Sequence, residues 1–351
     1  MANECGADRQ LDTVQDDTSG RDRILEIAFA FRGAKALLTA VELGVFTALN
    51  ERPLTADELV SKLGLHGRGA RDFFDALVAL RLLGRDENGR YFNLSDCALY
   101  LDDPHAPSYI GGVIEYLNAR IYDCWGHLGE ALRTGKPQAG PFADGGYESF
   151  LSKAPNLKTF LSGMSAGSLV PARTLADAFC WQEYRTFMDV GAAEGCVPVE
   201  IAKKHPHLMG GGFDLPEVGP SFTRYVARHG LQDRLKFHGG DFFIDPLPAA
   251  DVLIMGRILH NWDMSKRRML LGKAFAALPK KGALIVYETI IDDARRDRVH
   301  SLLASLNMLL QTEGGSEFTA AECAQWMRTM GFASIAALPL GPFYTAVVGR
   351  K

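Results

Sequence analysis

The sequence predicts an α/β protein in which a mainly helical amino-terminal part with a winged-helix pattern precedes a parallel, doubly wound sheet. Three observations carry this. Phe187 to Val218, FMDVGAAEGCVPVEIAKKHPHLMGGGFDLPEV, opens with a short apolar run into Asp189, turns from Gly191 to Gly195, continues helix-like to Lys204 and returns through a run ending at Asp214. That is a strand, tight turn, helix and strand. Beyond it strand and helix segments keep alternating, the pattern of a parallel sheet. Before it, Thr55 to Phe92 reads as helix, turn, helix and hairpin.

In chain order, residues 1–20 are polar, with Asp16, Asp17, Ser19 and Gly20 together, and are expected to form a tail with nothing to bury. From Ile24 to Leu49 apolar residues recur at helical spacing, broken near Gly44, which predicts two or three short helices. Thr55-Ala56-Asp57-Glu58 is a capping box and Gly64 a stop. A second helix is expected from Gly69 to Leu83, then a hairpin about Asn88-Gly89. Tyr109, Tyr116, Tyr122, Trp125 and Leu128 stand among charged residues before a Gly/Pro-rich loop at 135–146, and Phe150 to Ser168 reads as a helical stretch.

After the strand-turn-helix-strand unit come a helix from Ser221 to Arg228 stopped by Gly230, a strand from Leu235 into Gly240-Asp241-Phe242 and a strand from Ala250 to Met255. A helix to Leu278 and a strand from Gly282 ending at Glu288 follow. Thr319 to Glu322 caps a last helix stopped by Gly331, and strands Ser334–Leu338 and Tyr344–Val348 close the chain around Gly341-Pro342. The expected organisation is a tail at 1–20, a winged-helix-like dimerisation domain at 21–108, a helical connection serving a substrate pocket at 109–170, and a cofactor-binding domain at 171–351.

The 351 residues, 47% hydrophobic and 23% charged, suit a globular protein with ample core. A net charge of −4 gives no reason to expect nucleic acid or an anionic membrane. A winged helix that grips DNA needs excess positive charge, yet Arg21 to Asp103 holds 11 basic against 13 acidic side chains. Its second helix is apolar through Phe73, Phe74, Leu77, Val78 and Leu80, so pairing of two subunits is the favoured reading and a DNA-binding regulator the alternative. Cys5, Cys97, Cys124, Cys180, Cys196 and Cys323 are scattered, as reduced thiols in a cytoplasmic protein are. No uncharged apolar stretch approaches the roughly 18 residues of a membrane span. His205, His207, His229 and His238 have no metal-ligand spacing and read as surface residues, and no second ligand for His260 can be picked out.

The turn at Gly191 sits at a sheet edge where a loop and helix amino terminus face a ligand crevice, and Asp214 follows at the spacing of an acid that holds ribose hydroxyls. The loop Gly191-Ala192-Ala193-Glu194-Gly195 lacks a central glycine, and Glu194 repels a pyrophosphate. S-adenosylmethionine, with an ammonium and a sulfonium and no phosphate, is the favoured ligand. A loop that binds nothing is the bland alternative.

FDLPEV from Phe213, GDFF from Gly240, RILHNW from Arg257, the strand ending in Glu288 and NMLLQTEGGSEFT from Asn307 together resemble one family. It is the class I S-adenosylmethionine-dependent O-methyltransferases of small hydroxylated aromatic molecules, which include caffeate, flavonoid and acetylserotonin enzymes and bacterial enzymes that tailor antibiotics and pigments. The resemblance runs from Leu25 to Val348 and implies a Rossmann-like methyltransferase sheet with a winged-helix homodimerisation domain. It implies that Asp214, with Leu215 beside it, holds the ribose, Asp241 accepts from the adenine amine and Phe242 packs on the adenine. It also places Arg257 near the cofactor, Gly191 at the start of the loop beside the methionine moiety and Ser168 near the cofactor carboxylate. His260 matches the catalytic base, Glu288 and Glu317 its flanking acids, and Phe160, Met164, Trp262, Met308 and Thr312 positions lining the acceptor pocket. GAAEG departs from the family's usual run of glycines, and some relatives methylate nitrogen or carbon. Retention of His260 with Glu317 favours oxygen, because a phenol with a pKa near 10 must lose its proton and a histidine near 6.5 can take it.

Overall fold

Neither glycine between Thr18 and Glu42 breaks the helix, since Gly20 lies in its first turn and Gly33 stands where the Leu80 side chain packs. The computed structural model, which describes residues 18–106, 108–138 and 154–351, therefore shows two helices here, within the two or three expected, but the first, α1 (Thr18–Glu42), is 25 residues long and not short. The break does fall at Gly44, in the left-handed conformation (φ 71°), and the single turn α2 (Val45–Ala48) follows. Residues 18–20 of the expected tail belong to α1. The rest of that tail lies outside the described residues.

Helix α3 (Ala56–Leu63) starts on the expected capping box, with Thr55 N donating to Glu58 Oε2 at 2.7 Å, and stops at Gly64. Helix α4 (Ala70–Ala79) ends short of Leu83 because Arg81 adopts a left-handed φ of 58° and Leu82 N returns to Leu77 O. Strands β1 (Leu83–Arg85) and β2 (Tyr91–Asn93) form the expected hairpin, its turn held by Asp86, which accepts from Asn88 N and Arg90 N. The Tyr91 hydroxyl donates to Asp75 and the Asn93 amide to Phe46 O, which ties the wing to the helices. Arg71 and Arg85 both pair with Asp75. Along α1, Ile24, Ile27, Phe29 and Phe31 are exposed.

A first compact unit ends at Cys97, ahead of the boundary expected at 108, and the second begins at Ala98. Helix α5 (Ser95–Leu101) spans the division. In the second unit α6 (Gly111–Tyr116) runs through a π turn and a 3-10 turn into α7 (Leu128–Thr134). Most of the expected 135–146 loop and the start of the following stretch lie outside the described residues, and α8 (Ala154–Ala178) resumes the chain.

The strands β3 (Thr186–Val190), β4 (Met209–Asp214), β5 (Leu235–Gly239), β6 (Val252–Gly256), β7 (Ala283–Glu288), β8 (Ser334–Leu340) and β9 (Tyr344–Arg350) form one sheet in the order β5-β4-β3-β6-β7-β9-β8. The first five are parallel. The last two are antiparallel, so the sheet is mixed at one edge and not parallel throughout. A tight turn at Gly341 forces this, because a parallel return needs a crossover. Successive strand residues point to opposite faces, and both faces are covered, which is why β3, β6 and β7 read as unbroken apolar runs. Phe187, Ile254, Ile285 and Tyr287 pack under α8, α9 (Cys196–Lys204) and α10 (Gly219–Arg228). Met188, Leu253, Met255, Leu284 and Val286 pack under α11 (Met264–Ala277) and α13 (Ala320–Met330). The intervening helix α12 (Val299–Gln311) was not anticipated as an element. His205, expected at the surface, is buried with Nε2 2.7 Å from Ala176 O.

The Gly210-Gly211-Gly212 run in β4 marks where neighbouring chains press closest. A Cβ on Gly211 would meet the Lys236 carbonyl of β5, and one on Gly212 would stand 2.5 Å from Ala192 and Phe222. The obstacle at Gly211 is backbone that cannot move without breaking the ladder, so Gly211→Ala should cost about 3 kcal/mol, the upper end for an overpacked core. At 2–4 °C per kcal/mol for a unit of this size, calorimetry should show melting roughly 6–12 °C lower. A melting temperature within a degree of wild type would contradict that close approach.

Candidate active site

Strand order reverses between β3 and β6, so connections diverge there and open a crevice at the carboxyl ends of the strands. Gly191 follows β3 with φ 79°, and Ala193 and Gly195 are also left-handed, at 48° and 92°. That cost is met by Asp214 at the end of β4. Its Oδ2 accepts from Ala193 N and its Oδ1 from Leu215 N, both at 2.8 Å. One carboxylate thus fixes both loops of the crevice and still has lone pairs for a ligand. Burial, opposed by those two N–H bonds, pushes its carboxyl up to about 6. Glu194 is held by the Ser165 hydroxyl at 2.9 Å. Beneath the loop Asp189 is buried, its carboxyl pushed up to about 8 by burial and by Asp214, and therefore adds little negative charge at neutral pH.

Past β5, Asp241 is partly buried and accepts from Phe243 N at 2.7 Å. Phe242 packs edge-on to Phe243 (4.8 Å) and Trp262 (6.2 Å). Trp262, which the resemblance assigns to the acceptor pocket, is buried with its ring 4.7 Å from Phe243, so its packing joins it to the Phe242 wall. Arg257, after β6, has a left-handed φ of 59° and lies against α8, where a Cβ on Gly167 would stand 3.1 Å from its Nη1. No carboxylate lies within ion-pair distance of it among the described residues. The neighbouring Ser168 side chain meets the buried Tyr287 hydroxyl. A carboxylate acceptor, an aromatic face, a cation and a hydroxyl are thus gathered along the crevice. They fit a nucleoside joined to an amino acid.

His260 sits in a 3-10 turn, Leu259–Asn261, and is buried. Its Nδ1 lies 2.7 Å from Glu317 Oε1 and 3.4 Å from Glu288 Oε2, while its main-chain N donates to Glu288 Oε1 at 3.3 Å. The two acids therefore differ: Glu317 takes the ring N–H, and Glu288 chiefly holds the backbone. Alternation along β7 explains Glu288, which continues the face of Leu284 and Val286. Glu317 arrives on a strap whose glycines are obligatory, since a Cβ on Gly315 would meet His260 O and one on Gly314 would meet Asp263. Ser316 N donates to His260 O at 2.9 Å.

An ionised Glu317 can only accept, so Nδ1 carries the hydrogen and neutral His260 presents a bare Nε2. Burial opposes the imidazolium, but the Glu288 and Glu317 carboxylates outweigh it and hold the His260 pKa above the usual 6.5. Burial pushes Glu288 up to about 7, against the pull of His260. The sequence reading found no second ligand for His260. In the structure one donor atom from each of His260, Glu288 and Glu317 lies within 4.8 Å of the others. The 2.7 Å Nδ1 to Oε1 separation is that of a hydrogen bond.

Phe160, Met164 and Ser168 share one face of α8 at four-residue spacing. Phe160 is edge-on to Tyr116, whose hydroxyl reaches Gln311 Oε1 at 3.2 Å. Met308 is buried on α12. The Thr312 hydroxyl donates to Met308 O and accepts from Gly315 N, so it ends α12 and anchors the strap. Tyr116 was among the aromatics named from sequence, whereas Gln311 and the strap glycines lay inside the NMLLQTEGGSEFT motif and were given no role of their own.

The family model of the O-methyltransferase domain matches residues 125–333, and that of the O-methyltransferase dimerisation domain residues 25–103. The chain belongs to the O-methyltransferase family. It is 41% identical over 95% of its length to the tetracenomycin polyketide synthesis 8-O-methyl transferase TcmO of Streptomyces glaucescens, of which it covers 97%. It is 36% identical over 88% of its length to the N,N-dimethyltransferase OxyT of Streptomyces rimosus, of which it covers 90%. Human N-acetylserotonin methyltransferase, solved in complex with S-adenosylmethionine, superposes with a TM-score of 0.88 at 28% identity, over 96% of this chain and 99% of that one. The enzyme class that the motifs imply, an S-adenosylmethionine-dependent methyltransferase, is the class of this family. No helix among the described residues is long and apolar enough to cross a membrane.

Proposed function

We propose that this protein transfers a methyl group from S-adenosylmethionine to a phenolic hydroxyl of a small aromatic or polyketide-like metabolite, with His260 as general base. The observation that carries the reading is the buried Nδ1 to Glu317 bond of 2.7 Å, which leaves Nε2 as the proton acceptor. Asp214, Asp241, Phe242, Gly191, Leu215, Ser168 and Arg257 hold the cofactor, which when bound supplies an electrophilic methyl on a sulfonium. His260 takes the phenol proton at Nε2, and Glu317 stabilises the imidazolium that forms. Phe160, Met164 and Met308 turn apolar surface toward the acceptor, while Thr312 holds the strap. TcmO is named for an 8-O-methylation in polyketide synthesis, which supports the acceptor class.

Incubation with methyl-labelled donor and a panel of phenolic polyketides should give products whose new carbon resonates as O-methyl. OxyT favours a second reading, transfer to nitrogen. Label appearing only on amines would replace the first reading with that one.

The apolar face of α1, with Ile24, Ile27, Phe29 and Phe31 exposed, is covered in this reading by a second copy. Light scattering at micromolar concentration should return twice the 38.4 kDa chain mass. A monomer at that concentration would remove the dimer. The same reading places the enzyme in the cytoplasm without membrane or nucleic-acid partners, since Asp75 offsets both Arg71 and Arg85. Salt-dependent retardation of duplex DNA would count against it.

A further inference from the structure

Arg267, one turn into α11, is buried, yet no carboxylate lies within 4.0 Å of it among the described residues. Its guanidinium sits 5.0 Å from the Phe318 ring and 5.4 Å from Trp326, a box that excludes water. Its donors go to two carbonyls and one hydroxyl. Nε donates to Leu259 O at 2.9 Å, and Nη2 donates to Ser316 O at 2.5 Å and to Ser316 Oγ at 3.1 Å. Leu259 immediately precedes His260, and Ser316 immediately precedes Glu317.

The two segments come from distant parts of the chain, and the bond between His260 and Glu317 needs them in register. A buried charge without an acid is costly, and an apolar side chain would fill the same box more cheaply. Arginine offers what an apolar residue cannot, a rigid planar fork that reaches two carbonyls at once. Its positive charge also lies in the field of Glu288 and Glu317, which it helps keep together.

We infer that Arg267 is a positioning residue, which clamps the peptide units preceding His260 and Glu317 and so sets the ring and carboxylate in the register general-base catalysis needs. The inference rests on His260 being the base. A residue that merely held the fold would, when replaced, reduce the amount of folded protein and leave turnover per folded site unchanged.

Arg267→Lys keeps the charge and loses the fork. In the full-length enzyme it should lower kcat about a hundredfold, the scale of a misplacement of 1 Å, while KM for S-adenosylmethionine stays within about twofold, since the cofactor residues are untouched. As the ring drifts from Glu317, the acid limb of the pH profile should move down toward the ordinary histidine value. Glu317 raises the His260 pKa, so a weaker contact lowers it. Arg267→Gln has no charge to bury and supplies the same split between kcat and KM should the lysine variant not fold. His260→Ala is assayed alongside, and wild-type turnover there would fault the base assignment and not the clamp. A folded Arg267 variant with wild-type kcat and an unmoved acid limb overturns the proposal, as does a loss of activity that only tracks the unfolded fraction.

Discussion

His260→Ala is expected to bind S-adenosylmethionine as the wild-type protein does and to turn over about 10²- to 10⁴-fold more slowly, the range for loss of a general base. Binding survives because Asp214, Asp241 and the Gly191 loop take no support from the imidazole. Turnover falls because a phenol with a pKa near 10 is almost wholly neutral at pH 7 and has lost its proton acceptor. Glu317→Gln should cost less, since an amide can still accept from Nδ1 but carries no charge to stabilise the imidazolium.

The pH dependence has a definite sign. The active form of the base is the neutral ring, and the two carboxylates hold its pKa above 6.5, so kcat/KM should rise with pH through a value higher than that of a free histidine. Glu317→Gln removes one of those carboxylates and should shift the limb down, while in His260→Ala the rise should move up to the acceptor's own ionisation. Methyl transfer by His260→Ala at the wild-type rate at pH 7 would refute the base assignment.

Asp214→Ala should weaken S-adenosylmethionine binding roughly ten- to hundredfold, from loss of hydrogen bonds to a charged acceptor worth about 1.5–3 kcal/mol. The structure adds a second component, because the same carboxylate holds Ala193 N and Leu215 N. Without it nothing offsets the left-handed backbone at Ala193, and the loop loses its shape together with its ligand. Asp214→Asn, which keeps an acceptor oxygen without the charge, should fall between. Since burial pushes the Asp214 carboxyl up to about 6, wild-type affinity should decline as pH is lowered through that value and the acceptor is protonated. Calorimetric titration measures both effects. Unchanged affinity in Asp214→Ala would move the ribose site elsewhere.

Sequence reasoning located the elements that rest on local chemistry. Thr55-Glu58 and Thr319-Glu322 are capping boxes whose partners lie three residues apart, and both form. Gly64, Gly230 and Gly331 end helices because a left-handed residue is needed there, and glycine adopts it without penalty. The apolar runs of β3, β6 and β7 announced strands buried on both faces, and Glu288 at the end of β7 followed from the family's motifs. Where local signals were ambiguous the reading slipped. Helical spacing between Ile24 and Leu49 did not reveal that the helix before Gly44 would run for 25 residues, and α12 was hidden within a motif valued for its residues.

Only the tertiary structure decided which contacts Glu288 and Glu317 make with His260, because the 2.7 and 3.4 Å separations depend on a strap and a strand far apart in the chain. It alone gave purpose to Gly314 and Gly315, which let the strap lie against His260, and showed Arg267 bonded to the two carbonyls beside His260 and Glu317. It also turned Trp262 toward Phe242 and Phe243 and buried His205. The sequence by itself determined the family and the fold and nominated the groups proposed to act, because motifs and caps are written in neighbouring residues. Geometry between segments is set by which backbones can approach closely and which buried donors find acceptors, and those terms exist only once the chain is folded.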